Sequence, residues 1–185
     1  MYKIFSSLVS IIITVILSGL IINCRAQNGE HKYVGVKLCG MCHKTEAVGK
    51  QYVIWENSKH AHAYKTLTTA EADQVAKEKG YTTKAVETEE CLKCHVTGYK
   101  VDASLFTDKF NISDGIQCEA CHGPGSDYKS KKIMEDKKLA VENGLKIYES
   151  PEQLCVTCHN EESPSFKGFN FKEMWAKIEH SVPKK

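Results

Sequence analysis

Four pentapeptides in this chain of 185 residues share one pattern, Cys-x-x-Cys-His. They are Cys39-Gly40-Met41-Cys42-His43, Cys91-Leu92-Lys93-Cys94-His95, Cys118-Glu119-Ala120-Cys121-His122 and Cys155-Val156-Thr157-Cys158-His159. Two thiols a helical turn apart can add to the two vinyl groups of one haem, and the adjoining imidazole then lies under the iron as its proximal ligand. At this chain's own Cys and His frequencies, the number of such pentapeptides expected by chance is on the order of 0.02. The pattern therefore points to four covalently attached haem c groups. Cys39, Cys42, Cys91, Cys94, Cys118, Cys121, Cys155 and Cys158 would hold them, with His43, His95, His122 and His159 on the irons.

Other chemistries of paired cysteines fit less well. A zinc ribbon also uses Cys-x-x-Cys units, and Cys91/Cys94 with Cys118/Cys121 come near its spacing, but zinc gives no reason for a His after every pair. A disulfide framework accounts for an even number of cysteines and not for the histidines. A thioredoxin-like redox site needs one such pair. Four irons also offer four distal positions, and four histidines lie outside the pentapeptides: His31, His60, His62 and His180.

The elements that must position these residues read as mainly helical, with little or no β-structure. Residues 45–59 have helical spacing, with Val48, Tyr52 and Trp55 on one face. His60 and His62, one residue apart, point in different directions and cannot easily serve one iron. A second helix is expected over 69–79, opened by a capping box of Thr68 and Glu71, facing Ala72, Val75 and Ala76 inward and stopped by Gly80. Residues 96–117 lack a helical period and read as loop with a short hairpin. After the tight turn Gly123-Pro124-Gly125, a helix is expected from about Tyr128 to Glu142, ended by Asn143-Gly144. Its lysines, Lys129, Lys131, Lys132, Lys137 and Lys138, read by default as a solvated face. Ser150-Pro151 is a helix start, with Ser150 as cap, leading into the fourth pentapeptide. A last helix from Phe171 carries Met174, Trp175 and Ile178 on one face. His180 lies off that stripe, so it could bind iron only if the helix unwinds before it.

Composition limits the interior. Four haems in so short a chain mean about one per forty residues, so porphyrin faces would supply much of the buried apolar surface. Met1-Tyr2-Lys3 followed by the uncharged residues 4–22 reads as a leader over 1–26, with the haem domain over 27–185. Cys24-Arg25-Ala26 is a passable small-x-small cleavage site. A retained membrane helix and a lipid on Cys24 are the alternatives. All three place the domain outside the cytoplasmic membrane, as in a periplasm. The formal charge of +2 shows neither a basic face nor the interleaved aromatics of a nucleic-acid binder. The partners expected are a redox protein donor and a redox protein acceptor.

Taken together, these residues resemble the cytochrome c-554 family of tetrahaem cytochromes. The likeness rests on residues 33–44, Ser58-Lys59-His60-Ala61-His62-Ala63-Tyr64, residues 91–99, and Gly115-Ile116-Gln117-Cys118-Glu119-Ala120-Cys121-His122-Gly123-Pro124-Gly125. It continues through the fourth pentapeptide, Ser163-Pro164 and Phe171-Lys172-Glu173-Met174 ahead of His180. The resemblance implies a mostly helical fold with stacked haem pairs, His60 and His180 as distal ligands, and a five-coordinate second haem at His95. The family's remaining distal His falls where this chain has Lys132, which leaves Met134, His62 and His31 as candidates at the first haem. A Met there would raise that haem's potential. The reading favoured is an electron carrier. The alternative is a haem enzyme reducing a small nitrogen oxide or peroxide at an open iron, and a third is a subunit of a larger redox complex.

Overall fold

The computed structural model describes residues 30–183. The leader, its cleavage and Cys24 lie outside them. Among the described residues the chain forms ten α-helices: α1 Val36–Gly40, α2 Gln51–Glu56, α3 Ala63–Leu67, α4 Ala70–Glu78, α5 Glu89–His95, α6 Cys118–His122, α7 Lys131–Met134, α8 Lys137–Glu142, α9 Pro151–Cys155 and α10 Phe171–Trp175. The longest has nine residues. Isolated helices this short are marginal in water, so each depends on what it is packed against or attached to. The fold is mainly α, as expected. No hairpin forms over 96–117; the extended contact is instead a single parallel bridge between Tyr33 and Phe106.

Several expected helices are interrupted, each for a local reason. The one over 45–59 becomes a 3-10 turn at Glu46–Val48 and then α2, because Gly49 and Lys50 take left-handed backbone, φ 101° and 52°. The carbonyl of Ser181 lies where a Gly49 side chain would be, so the C-terminal segment packs onto this break. The lysine-rich helix splits into α7 and α8 at Asp136, whose side chain accepts from the Leu139 N–H. Helix α4 forms where expected, but Thr69 is its cap, accepting from the Ala72 N–H, and Val75 is 38% exposed. Pro151 opens α9, while the Ser150 side chain makes no cap bond. Helix α10 ends at Trp175, so His180 stands beyond it and the helical phase does not restrict its direction.

Little of the interior is protein. The buried hydrophobic residues are Val34, Val36, Tyr52, Leu67, Ala76, Ala85, Val96, Tyr128 and Ala140, most of them small. One cluster, Leu67, Ala76 and Ala85 with Ala72, Tyr81, Val86 and Leu92 packed on it, lies against Cys91. Elsewhere large apolar side chains stay in contact with solvent, including Met41, Ile147, Val156 and Val182. A chain with so thin a core needs another source of apolar contact.

Candidate functional site

Each pentapeptide is about one turn of helix, which sets its two thiols and its imidazole along one side. The second and third lie within α5 and α6. The first and fourth start on the last turns of α1 and α9, where the N–H groups of His43 and His159 donate to Cys39 and Cys155 at 3.1 and 3.0 Å. All eight cysteines are free thiols. Among the described residues no three His, Cys, Asp or Glu side chains converge as a closed metal cage would require.

Three of the four imidazoles are oriented by an oxygen that can only accept. His95 Nδ1 donates to the Ala63 carbonyl at 2.7 Å and His122 Nδ1 to that of Lys146 at 3.3 Å. His43 Nδ1 meets Gln51 Oε1 at 3.3 Å, and the Gln51 amide nitrogen is turned away onto the Val48 carbonyl. A proton held on Nδ1 leaves Nε2 as the lone-pair atom, the arrangement of a ligating histidine. His159 is positioned differently, by Phe169 stacked on its ring at 4.8 Å and 20°.

Two of the remaining histidines are brought opposite pentapeptide imidazoles. The rings of His60 and His159 are 6.1 Å apart between centroids, and those of His122 and His180 are 5.9 Å apart. An iron with bonds of about 2 Å to two trans imidazoles holds the ring centres about 6 Å apart, so both pairs fit a six-coordinate haem iron. His180 Nδ1 also donates to a carbonyl, that of Ile178 at 2.9 Å. Burial lowers the pKa of His60, His122 and His159, with the facing His159 and His180 adding to the effect on His60 and His122 respectively. The neutral imidazole is the form that binds iron.

His43 and His95 are not opposed by a second imidazole ring among the described residues. His31 donates to Asp127 at 2.8 Å and packs its ring tip on Gly144, His62 is an exposed residue at the start of α3, and Met134 is half-buried at the end of α7.

The attachment thiols also have neighbours. The neighbouring Cys118 thiol, with burial, holds the Cys39 thiol well above its ordinary pKa, and Cys39 Sγ donates to the Gly35 carbonyl at 3.8 Å. Burial pushes Cys121 up to about 11, with Cys155 the next cause. Cys94 is pushed up to about 12 by burial and by Cys158. Lys93 of the second pentapeptide pairs with Glu162, just after the fourth.

Sequence reasoning missed what locks the first and third together. Gln117 and Glu119 reach across to three consecutive N–H groups at the start of α1: Glu119 accepts from Val34 and Gly35, and Gln117 from Val36, each at 2.8 Å. Gln117 is held in turn by its own N–H to Thr97 Oγ1 at 2.7 Å and its amide to the Asn111 carbonyl at 2.9 Å. The one signal was that both lie inside the Gly115 to Gly125 stretch, one of those on which the family resemblance rests. Nothing in the sequence marked Phe169.

The family model for cytochrome c554 and c-prime matches residues 38–123. Searches of curated proteins and of solved structures returned no match. The matched segment holds the first three pentapeptides together with His60; the fourth and His180 lie beyond it. A cytochrome c carries covalently bound haem, and the paired thiols, the carbonyl-bound Nδ1 atoms and the facing ring pairs fit that group. The match over residues 38–123, together with these side chains, supports a haem c electron-transfer protein similar to the cytochrome c554 family.

Proposed function

We propose that the chain is an exported tetrahaem c-type cytochrome that carries electrons between a redox protein donor and a redox protein acceptor outside the cytoplasmic membrane. Each haem, when bound, supplies a one-electron Fe(III)/Fe(II) couple. The chain's residues fix where the four couples stand and how each iron is held. The observation that carries this reading is the facing of pentapeptide imidazoles by histidines from elsewhere in the chain, His159 by His60 at 6.1 Å and His122 by His180 at 5.9 Å. His43, His95, His122 and His159 serve as proximal ligands, His60 as the distal ligand opposite His159, and His180 as the distal ligand opposite His122. The apolar leader supports export, because c-type haems are attached outside the cytoplasm.

A second reading has one observation in its favour. His95 is not paired with another imidazole among the described residues, and the adjoining cluster around Leu67, Ala76 and Ala85 is apolar. A small nitrogen oxide or peroxide could reach an iron open on that side. The test is intact mass and pyridine haemochrome stoichiometry on the exported protein, followed by ferrous spectra with and without carbon monoxide. Four haems per chain support the tetrahaem reading, and a smaller number overturns it. A fully low-spin, gas-insensitive spectrum removes the enzyme reading.

A further inference from the structure

Glu119 is a buried carboxyl that attachment and ligation do not require; burial holds its pKa above the ordinary carboxylate value, against the N–H groups of Val34, Gly35 and Gly125, which pull it down and favour the ionised form. It stands between Cys118 and Cys121 and is 2% exposed. Its Oε1 accepts from the N–H groups of Val34 at 2.8 Å and Gly125 at 2.7 Å, and its Oε2 from Gly35 at 2.8 Å. A Cβ at Gly125 would crowd this approach, lying 3.2 Å from Oε1 and 3.0 Å from Val34. Among the described residues no Lys, Arg or His forms an ion pair with Glu119. The ionisable groups around it are Tyr33, Tyr128, Cys39 and Cys118, none of them cationic.

Burying a carboxylate without a cation is costly, and three charge-assisted hydrogen bonds offset only part of that cost. The backbone N–H groups do not demand a charge. The neighbouring Val36 N–H is satisfied by the neutral amide of Gln117 at the same 2.8 Å. What distinguishes the place of Glu119 is that the first and third attachment sites meet there. Glu119 and Gln117, at the third pentapeptide, bond the N–H groups that open the helix carrying Cys39 of the first.

We propose that Glu119 is the internal counter-charge of the haems attached at the first and third pentapeptides, and that it lowers both their reduction potentials by stabilising the ferric irons. This rests on the haem attachment proposed above. A negative charge in a low-dielectric setting favours the more positive oxidation state of a nearby iron, and one placed between two sites acts on both. Glu119 is a positioning residue for α1 as well, so the test must separate its charge from its reach.

The experiment is an optical and EPR redox titration of the full-length holoprotein with Glu119→Gln and Glu119→Asp. Gln keeps the size and removes the charge; Asp keeps the charge and shortens the reach. The expected result for Glu119→Gln is that two of the four couples shift upward by at least about tenfold in their ferrous/ferric ratio at fixed poise, about 59 mV for one electron, while the other two stay. Glu119→Asp leaves all four near wild type. Four unmoved couples in Glu119→Gln, four couples moving together, or an equal shift in Glu119→Asp overturns the proposal. If Glu119→Gln does not assemble with its haems, the Asp variant decides. Wild-type couples there sustain the role of charge, and an upward shift of two couples refutes it. Wild-type protein lacking haem at the first or third site would instead sink the attachment reading.

Discussion

His60 opposite His159 and His180 opposite His122 carry the most direct expectation at the scale of single residues. With His60 and His180 as distal ligands, as proposed, replacing either by alanine would leave one iron with one protein ligand and an open position. His60→Ala and His180→Ala should each convert one low-spin haem to a high-spin form that binds carbon monoxide, which ferrous difference spectra would count. If His60→Ala leaves the number of low-spin haems unchanged, the ring pair is not an axial pair. The Nδ1 contacts of His95 and His122 predict the opposite of fragility. Their acceptors are backbone carbonyls of Ala63 and Lys146, so changing those side chains should not alter the ligand tautomer.

At the scale of elements, short helices are held by close approach. Helix α2 packs Tyr52 directly over Gly40, where an added methyl would lie 2.4 Å from the ring. Tyr52 has little room to give way, because it is buried, paired with Trp55 at 5.4 Å, and covered by Lys44. Gly40→Ala should therefore cost about 1–3 kcal/mol by overpacking. Urea unfolding followed by tryptophan emission would read it, and a loss of under about 0.5 kcal/mol would mean that α2 can shift freely. The break between α7 and α8 depends on a different device, the Asp136 cap. Asp136→Ala should remove about 1 kcal/mol from α8, with the haem spectrum unchanged.

For the whole molecule, the thin protein core predicts that the fold and the cofactor come together. The buried apolar residues are few and small, and the helices are too short to persist alone. Chain expressed without haem attachment, or with Cys118 and Cys121 both changed to serine, should lose most of its far-ultraviolet helical signal and show no cooperative melting transition. A haem-free chain with wild-type circular dichroism would show that protein contacts alone suffice. The solvent-exposed Met41 and Val156 sit within the first and fourth pentapeptides, beside the attachment sites.

The division between what sequence and structure each decide follows from the range of the interactions. A Cys-x-x-Cys-His pentapeptide is a local object, and so are the mainly helical class, the helix over Ala70–Glu78 and the tight turn at Gly123, which could be read directly from the sequence. Helix lengths could not, because the breaks at Gly49 and Asp136 depend on Ser181 packing from the far end of the chain and on a cap that competes with continuation. Which imidazoles oppose one another was also beyond the sequence. His60 and His159 are separated by almost a hundred residues, and the helical phase that cast doubt on His180 vanished once α10 ended before it. The Glu119 lock across the first and third sites is a long-range fact of the same kind. Spacing along the chain determines what a short segment can bind, whereas the meeting of two distant segments is set by packing and by buried hydrogen bonds that have no sequence period.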